Sequence, residues 1–271
     1  MLSCHEGDAP FPYVPNLPDA YNLHNGPEDD PKGPVAMYTH EVYHEYYDGL
    51  VSQTTACFDT TGRCIDYYYR DRERCSHMRF EYDTAGRRIR EEAWQDTAGT
   101  PFDSLRRDHF VTIYRYSANS RRCKARISDT RGKRYTFRLR YDKQGHLSRF
   151  IYPDGSRFSY DYDAAGRMVR RTWPDASTER FEYDAHGNMT SMTDRDGVVN
   201  WYLPPHINAR HDSLGRVVEE VAGPSPGENT PPRITTYAYD SHGNWVRRTT
   251  AGVSSPTVLE VRAFRYHGES F

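Results

Sequence analysis

Residues 141–197 decide the fold, and they read YDKQGHLSRFIYPDGSRFSYDYDAAGRMVRRTWPDASTERFEYDAHGNMTSMTDRDG. Tyr-Asp-x-x-Gly begins at Tyr141, Tyr162 and Tyr183, so the same motif returns every 21 residues. A second turn signal follows each motif, at Asp154-Gly155, Asp175-Ala176 and Asp196-Gly197. A fixed period of this length indicates a repeat architecture.

Each repeat unit is predicted to contain two strands and two turns. An Asp at the head of a tight turn accepts backbone N–H groups, and Gly supplies the positive φ that closes the turn. Between the turns, Arg, Thr, Ser, Tyr, Phe and Val alternate loosely, as in Arg157 to Tyr162, which is typical of strands. Successive units should pair edge to edge, so the fold class is all-β, a meandering antiparallel sheet of β-hairpin repeats.

The repeat motif resembles the YD repeat of the Rhs and teneurin families, whose pattern is Tyr-Asp-x-x-Gly-Arg. Residues 82–87 and 162–167 match it fully, and the resemblance extends from about Tyr47 to the end of the sequence. At about eight units, the array is expected to form a curved, open sheet and not the closed shell that long Rhs arrays build. The predicted structural turns are formed by Asp83 and Gly86, Asp142 and Gly145, Asp163 and Gly166, Asp184 and Gly187, Asp212 and Gly215, and Asp240 and Gly243.

The composition restricts the function classes. The formal net charge is −2, which gives no global basic field for nucleic acid. No apolar run approaches 18 residues, so membrane insertion is not expected. The start of the sequence lacks the basic and apolar regions of a signal peptide, which makes a cytoplasmic location the default expectation. The 22 tyrosines suit a sheet that buries one face and leaves the other charged.

Two domains are predicted. Residues 1–34 hold seven prolines and form a proline-rich N-terminal arm, either a tail or an extended segment laid across the sheet. Residues 35–271 form the YD-repeat sheet domain. Cys57 and Cys64 flank the turn at Asp59 symmetrically, so either a disulfide or two reduced thiols would fit there.

One catalytic motif occurs, at His40-Glu41-x-x-His44. On a helix this spacing places two zinc ligands on one face, with Glu41 as the general base. The flanking residues instead indicate a strand, on which the two histidines would lie about 13 Å apart at about 3.3 Å per residue. A zinc-dependent hydrolase is therefore the weaker alternative, and no metal or other cofactor is expected.

Large aromatic side chains near turns are the candidate partner contacts. Trp94, Trp173 and Trp201 are chosen because large rings near turns are hard to bury fully in a thin sheet. No phosphate loop and no nucleophile motif is found, so no catalytic residue is assigned.

The resemblance implies a setting in bacterial polymorphic-toxin systems. The expected function is a non-enzymatic protein-binding module, an immunity-type inhibitor or accessory protein whose partner is a toxin or effector. A cell-surface or carbohydrate-binding Rhs-like fragment is the alternative from a different class.

Overall fold

The computed structural model describes residues 31–47, 49–97, 108–185, 189–201, 209–222, 231–252 and 255–269. Within these ranges the chain is all-β, and the helical content is a single 3-10 turn at Glu45–Tyr47. No helix in the described part is both long and apolar enough to cross a membrane. The strands are β1 (Val35–His44), β2 (Gly49–Phe58), β3 (Cys64–Arg70), β4 (Arg74–Tyr82), β5 (Arg88–Thr97), β6 (Asp108–Tyr116), β7 (Arg122–Asp129), β8 (Arg134–Tyr141), β9 (Leu147–Ile151), β10 (Arg157–Tyr162), β11 (Met168–Thr172), β12 (Thr178–Tyr183), β13 (Met189–Thr193), β14 (Val199–Trp201), β15 (Arg210–His211), β16 (Val217–Ala222), β17 (Arg233–Tyr239), β18 (Trp245–Gly252) and β19 (Ser255–Tyr266).

All 19 strands belong to one open antiparallel sheet. Consecutive strands pair from β1 to β4, from β6 to β14 and from β15 to β19, which confirms the predicted meander of hairpins. One further pairing breaks the sequential order: β19 also pairs with β1, with Val35 opposite Tyr266 and His44 opposite Val258. The first strand therefore lies between β2 and the last strand.

The turns have the predicted chemistry. At Asp163 the backbone N–H donates to the carbonyl of Arg167, and Gly166 donates back to the Asp163 carbonyl at 3.1 Å. The Asp163 carboxylate accepts the N–H groups of Ala165 and Arg167, each at 2.9 Å. Glycine is needed at this turn position because φ is +82° at Gly166. Of the other predicted turn glycines, Gly86, Gly145, Gly215 and Gly243 also have positive φ, while Gly187 lies outside the described residues.

Contacts between successive units explain the 21-residue period. The Tyr162 hydroxyl donates to the Leu147 carbonyl at 2.9 Å, and Tyr183 repeats this contact on Met168 at 2.8 Å. In the opposite direction, the Arg167 guanidinium lies over the Tyr183 ring, 4.9 Å from its centroid. The tyrosine and the arginine of the motif therefore connect each unit to its neighbour.

The chain divides into two compact units. The described part of the first unit falls within 81–92 and 109–201, and its core is aromatic and aliphatic, with Phe137, Phe150, Leu139 and Ile127 each 1 % exposed or less. The Glu91 carboxylate is fully buried there and accepts bonds from Tyr114 at 2.9 Å and Arg88 at 3.1 Å. The predicted division at residue 34 stays a prediction, and residues 1–30 lie outside the described ranges.

The described part of the second unit falls within 31–80, 93–108 and 203–271. Its buried side chains include Ala56, Met78, Phe80, Val217 and Trp245. Cys57 and Cys64 lie in this unit, on β2 and β3. The strand register places Asp66 opposite Cys57 and Phe58 opposite Cys64, so the two thiols are not cross-strand neighbours.

Candidate functional site

The turn that follows β11 carries Trp173 at its start. The sequence is Trp173-Pro174-Asp175-Ala176-Ser177, in which proline presets φ and the aspartate accepts from the residue two positions on. The Trp173 backbone N–H donates to the Ser177 carbonyl at 2.9 Å, and the Ala176 N–H donates to the Trp173 carbonyl at 3.0 Å. The turn therefore fixes the backbone that carries the indole.

The indole of Trp173 is half-buried among one ring and two cations. The Phe158 ring meets it edge-on, with centroids 4.7 Å apart. The guanidinium carbons of Arg195 and Arg171 lie 4.5 and 5.1 Å from its centroid. The indole N–H is buried and has no hydrogen-bond partner within the described ranges. The indole therefore combines a partly accessible apolar surface with an unused donor.

The two cations at Trp173 are held by carboxylates. Arg171 pairs with the buried carboxylate of Glu179, and Arg195 pairs with Asp175 and donates to the Ser177 hydroxyl at 2.8 Å. The pKa of Asp175 is lowered, first by the hydrogen bonds from Ser177 and further by the charge of Arg195, so this carboxyl remains ionised. We call Phe158, Arg171, Trp173, Asp175 and Arg195 the Trp173 cluster.

Exposed apolar side chains follow the cluster in sequence. Arg195 belongs to the turn Asp194–Gly197. The two residues that follow this turn, Val198 and Val199, are 56 % and 43 % exposed. Sequence reasoning chose Trp173 but missed Arg195. The sequence feature that could have indicated Arg195 is the turn Asp194-Arg195-Asp196-Gly197. This turn belongs to the next repeat unit, from which the Arg195 side chain can contact Trp173.

Trp94 lies on β5 in the second unit and is also half-buried. Its ring stacks on His77 with centroids 4.9 Å apart, and the Arg79 guanidinium lies 5.7 Å from its centroid. Asp66 accepts from His77 at 2.8 Å and from Arg79 at 3.1 Å. Burial alone would raise the pKa of Asp66, but these two donors lower it on balance. Trp94 thus has the same kind of surroundings as Trp173, an aromatic ring and an arginine.

The third candidate, Trp201, ends β14, where its backbone lies opposite Ser191. Its side chain lies outside the described residues. The fourth tryptophan, Trp245, is 3 % exposed and has the Arg262 guanidinium 3.6 Å from its centroid. It therefore belongs to the core of the second unit and offers no contact surface.

The His40-Glu41-x-x-His44 motif lies on β1, as predicted, so it lacks the helix that would bring its side chains together. His40 bonds to Glu260 at 3.0 Å, whereas Glu41 accepts from Tyr43 and Gln53, each at 2.7 Å. The His44 ring lies beside the Tyr46 and Tyr47 rings. Across the described ranges, no three metal-ligating side chains come together. The motif's residues are used in separate contacts.

Comparison with known proteins agrees with the repeat. The RHS Repeat family model matches residues 141–178 and 174–199. Residues 141–199 therefore carry repeats of the RHS (YD-repeat) type. Among curated proteins, none gives a significant match.

Several solved structures resemble this chain weakly. The crystal structure of TcdB2-TccC3-Cdc42 is 13% identical, covers 80% of this chain and has a TM-score of 0.28. A Tc holotoxin pore from Photorhabdus luminescens is 14% identical, with 78% coverage and a TM-score of 0.27. This chain spans about 15% and 14% of those two chains. A porin-like protein from Bacteroides uniformis is 12% identical, with 89% of this chain and 100% of that chain covered and a TM-score of 0.40. Scores this low carry no argument about function.

Proposed function

We propose that this YD-repeat protein is a non-enzymatic protein-binding module of a bacterial Rhs-type toxin system. The most specific version of this proposal is an immunity-type inhibitor or accessory protein that binds a toxin in the cytoplasm. The RHS repeats supply the setting. The observation that carries the proposal is the Trp173 cluster, in which a half-buried indole lies between two guanidiniums beside a turn.

The cluster has the composition of an interface anchor. Tryptophan and arginine are the residues enriched among those that dominate binding energy. Here Arg195 is held on Asp175 and Ser177, so little side-chain freedom remains to be lost when a partner binds. The exposed Val198 and Val199 extend the apolar surface along the chain.

A carbohydrate ligand fits the cluster less well. Sugars stack on an open aromatic face, whereas Arg195 and Arg171 both lie over the Trp173 ring at about 5 Å. Cations over a ring suit a protein partner that brings carboxylates or further aromatic groups. The cell-surface or carbohydrate-binding function therefore enters the experiment as a competing outcome.

The test uses the purified product of the reading frame beside this gene, where that frame encodes a toxin, and otherwise a pull-down from the native host. We expect saturable binding to the wild-type chain. Trp173→Ala should weaken it by about tenfold or more, the range for a central anchor. The matched control is Leu214→Ala, which removes a side chain that is 74 % exposed in a turn of the second unit and should leave the affinity unchanged.

Circular dichroism and thermal melting must show that both variants keep the fold. If Trp173→Ala is folded and binds the partner as tightly as wild type, the Trp173 cluster is not the anchor. If no protein binds while a glycan array gives saturable binding, the module is a carbohydrate binder and the toxin-binding proposal is wrong.

A further inference from the structure

The first unit has a second surface, which is strongly basic. Its cations lie on one face of the sheet because successive side chains of a strand point to opposite faces. On β7 the residues Cys123, Ala125 and Ile127 are 2 % exposed or less, so their neighbours in sequence face outward. Those neighbours are cations, and the same alternation places further cations outward on β6, β8 and β9. The outward cations are Arg115, Arg122, Lys124, Arg126, Arg134, Arg138, Arg140 and Arg149, and all are exposed.

The strand register places these cations side by side. Arg122 lies opposite Arg140, and Arg140 lies opposite Arg149, which makes a row across three strands. A second row runs through Arg115, Lys124 and Arg138. Like charges directly opposite each other destabilise a sheet. We call these two rows the basic face.

The described part of the chain does not neutralise the basic face. None of the six cations in the two rows forms an ion pair or a side-chain hydrogen bond there. Elsewhere, the arginines of the repeat turns, such as Arg87, Arg167 and Arg216, each pair with the aspartate of their own turn. Asp161 on β10 lies beside the first row, and it pairs with Arg170 at 2.6 Å. The repulsion along the rows is therefore not offset by those residues.

A cleft of about 440 Å³ lies along the first row. It is bordered by four arginines and one acid, together with serine and tyrosine residues: Arg121, Arg122, Arg140, Arg149, Asp161 and Ser159 are among them. Arginine binds carboxylates and phosphates in a bidentate manner, so a cleft of this kind suits a polyanion.

We propose that the basic face is a docking surface for an acidic polypeptide segment. It is distinct from the Trp173 cluster, whose indole packs on Phe158, a residue opposite the buried Phe150 on the other face of the sheet. An extended peptide places alternate side chains about 6.6–6.8 Å apart, the same repeat as the alternate cations along one strand. Alternating carboxylates would therefore lie over successive cations of β7 or β8.

A nucleic acid fits the same charges less well. Sequence-tolerant binding of single strands uses aromatic side chains on which bases stack. Apart from His109, the outward positions of β6 to β8 that are not cationic are aliphatic or hydroxyl residues, such as Val111, Ile113 and Thr136. The cleft tyrosines, Tyr141 and Tyr160, occupy inward positions in the strand alternation. Nucleic acid is thus an alternative for the test to exclude.

The probe is a fluorescent peptide with glutamate at every second position, and the full-length chain is titrated by fluorescence anisotropy. We expect binding at about 50 mM salt that weakens as salt rises, because exposed charges are screened. Arg140→Gln/Arg149→Gln should weaken binding about tenfold, since it removes two adjacent cations of the first row. The matched control, Arg131→Gln/Lys143→Gln, removes two exposed cations from turns of the same unit and should change the affinity less than about twofold.

A thermal melt separates lost binding from lost folding. Arg140→Gln/Arg149→Gln should melt at or above the wild-type temperature, because it removes a pair of like charges opposite each other. The proposal is overturned by any of three results: no binding of the glutamate peptide to either the full chain or a variant lacking residues 1–30, equal loss in both double variants, or tighter binding of a DNA oligonucleotide that depends on the same arginines.

The chain's own N-terminal segment is a competing occupant, because residues 1–30 contain six acidic residues and no lysine or arginine. Deletion of residues 1–30 tests it. If the glutamate peptide binds only after this deletion, the occupant is that segment and a separate acidic partner is excluded. If wild type and the deletion variant bind the peptide equally, the docking surface serves another molecule.

Discussion

At the scale of single residues, the turns show both how the repeat is encoded and where it is strained. Tyr152-Pro153-Asp154-Gly155-Ser156 and Trp173-Pro174-Asp175-Ala176-Ser177 make the same turn, with the fourth residue donating to the first in each. The fourth residue has φ of +91° at Gly155 and +69° at Ala176. Alanine adopts this left-handed conformation at a cost of roughly 1–2 kcal/mol, whereas glycine does not pay it.

We therefore predict that Ala176→Gly stabilises the protein. The substitution removes the backbone strain of a left-handed alanine, but glycine loses more conformational entropy than alanine on folding. Because the relieved strain is the larger of the two effects, the net gain in unfolding free energy is about 0.5–1 kcal/mol. Gly155→Ala is the matched control and should lower the unfolding free energy by a similar amount, since no atom lies within 4 Å of the added Cβ and only the backbone changes. Urea unfolding measures both variants, and a loss of stability in Ala176→Gly would contradict the argument.

The turn chemistry could be predicted from sequence, but the contacts between units could not. Asp and Gly at fixed spacing specify a turn whatever surrounds it, so Asp163 and Gly166 were assigned correctly. The bond from Tyr162 to Leu147 and the stacking of Arg167 on Tyr183 depend on how one unit sits on the next. The basic face could not be predicted from the sequence for the same reason. Its cations are dispersed in sequence, and only the strand register brings them into rows.

At the scale of elements, one carboxylate connects three strands. Glu260 on β19 accepts from His40 on β1 at 3.0 Å and from Arg248 on β18 at 2.7 and 2.8 Å. Burial alone would raise the pKa of Glu260, but the bonds from His40 and Arg248 lower it to about 2. The carboxyl is 13 % exposed, so solvent screens these contacts only partly.

This lowered pKa predicts a specific acid sensitivity. The ionised carboxylate stabilises the fold fully above its unfolded pKa of about 4.5, and this contribution is lost as pH falls towards about 2. The contribution is at most about 3 kcal/mol. The difference in unfolding free energy between wild type and Glu260→Gln should therefore be largest above pH ~5 and shrink towards pH ~2.

Denaturant unfolding at a series of pH values measures that difference. Glu219→Gln is the control, because its pair with Arg210 at 3.5 Å is more exposed and exposed pairs contribute little. A gap between wild type and Glu260→Gln that stays constant down to the lowest pH would show that ionisation of Glu260 does not stabilise these strands.

At the scale of the whole molecule, the sequence period predicted the order of neighbours but not the return of the last strand. A repeat specifies that each hairpin pairs with the next, and this holds from β1 to β4, from β6 to β14 and from β15 to β19. Nothing in a 21-residue period relates β1 to β19. Their pairing depends on nine opposed residue pairs from Val35 to His44, and on a bond from the His267 N–H to the Pro34 carbonyl at 2.7 Å.

The pairing of β1 with β19 predicts that the chain tolerates circular permutation. A short glycine-serine linker from residue 269 to residue 33 should span the gap without strain, because Val35 lies opposite Tyr266. New termini in the exposed turn at Thr130–Arg131 would interrupt no strand. We expect the permutant to keep the β-sheet circular dichroism and to unfold within a few degrees of the linear chain, about 1 kcal/mol of stability. The control is the same break at Thr130–Arg131 without the linker, which leaves two separate polypeptides. These two polypeptides should dissociate or unfold. A linked permutant without the strand signal would show that β1 and β19 are not neighbours in solution.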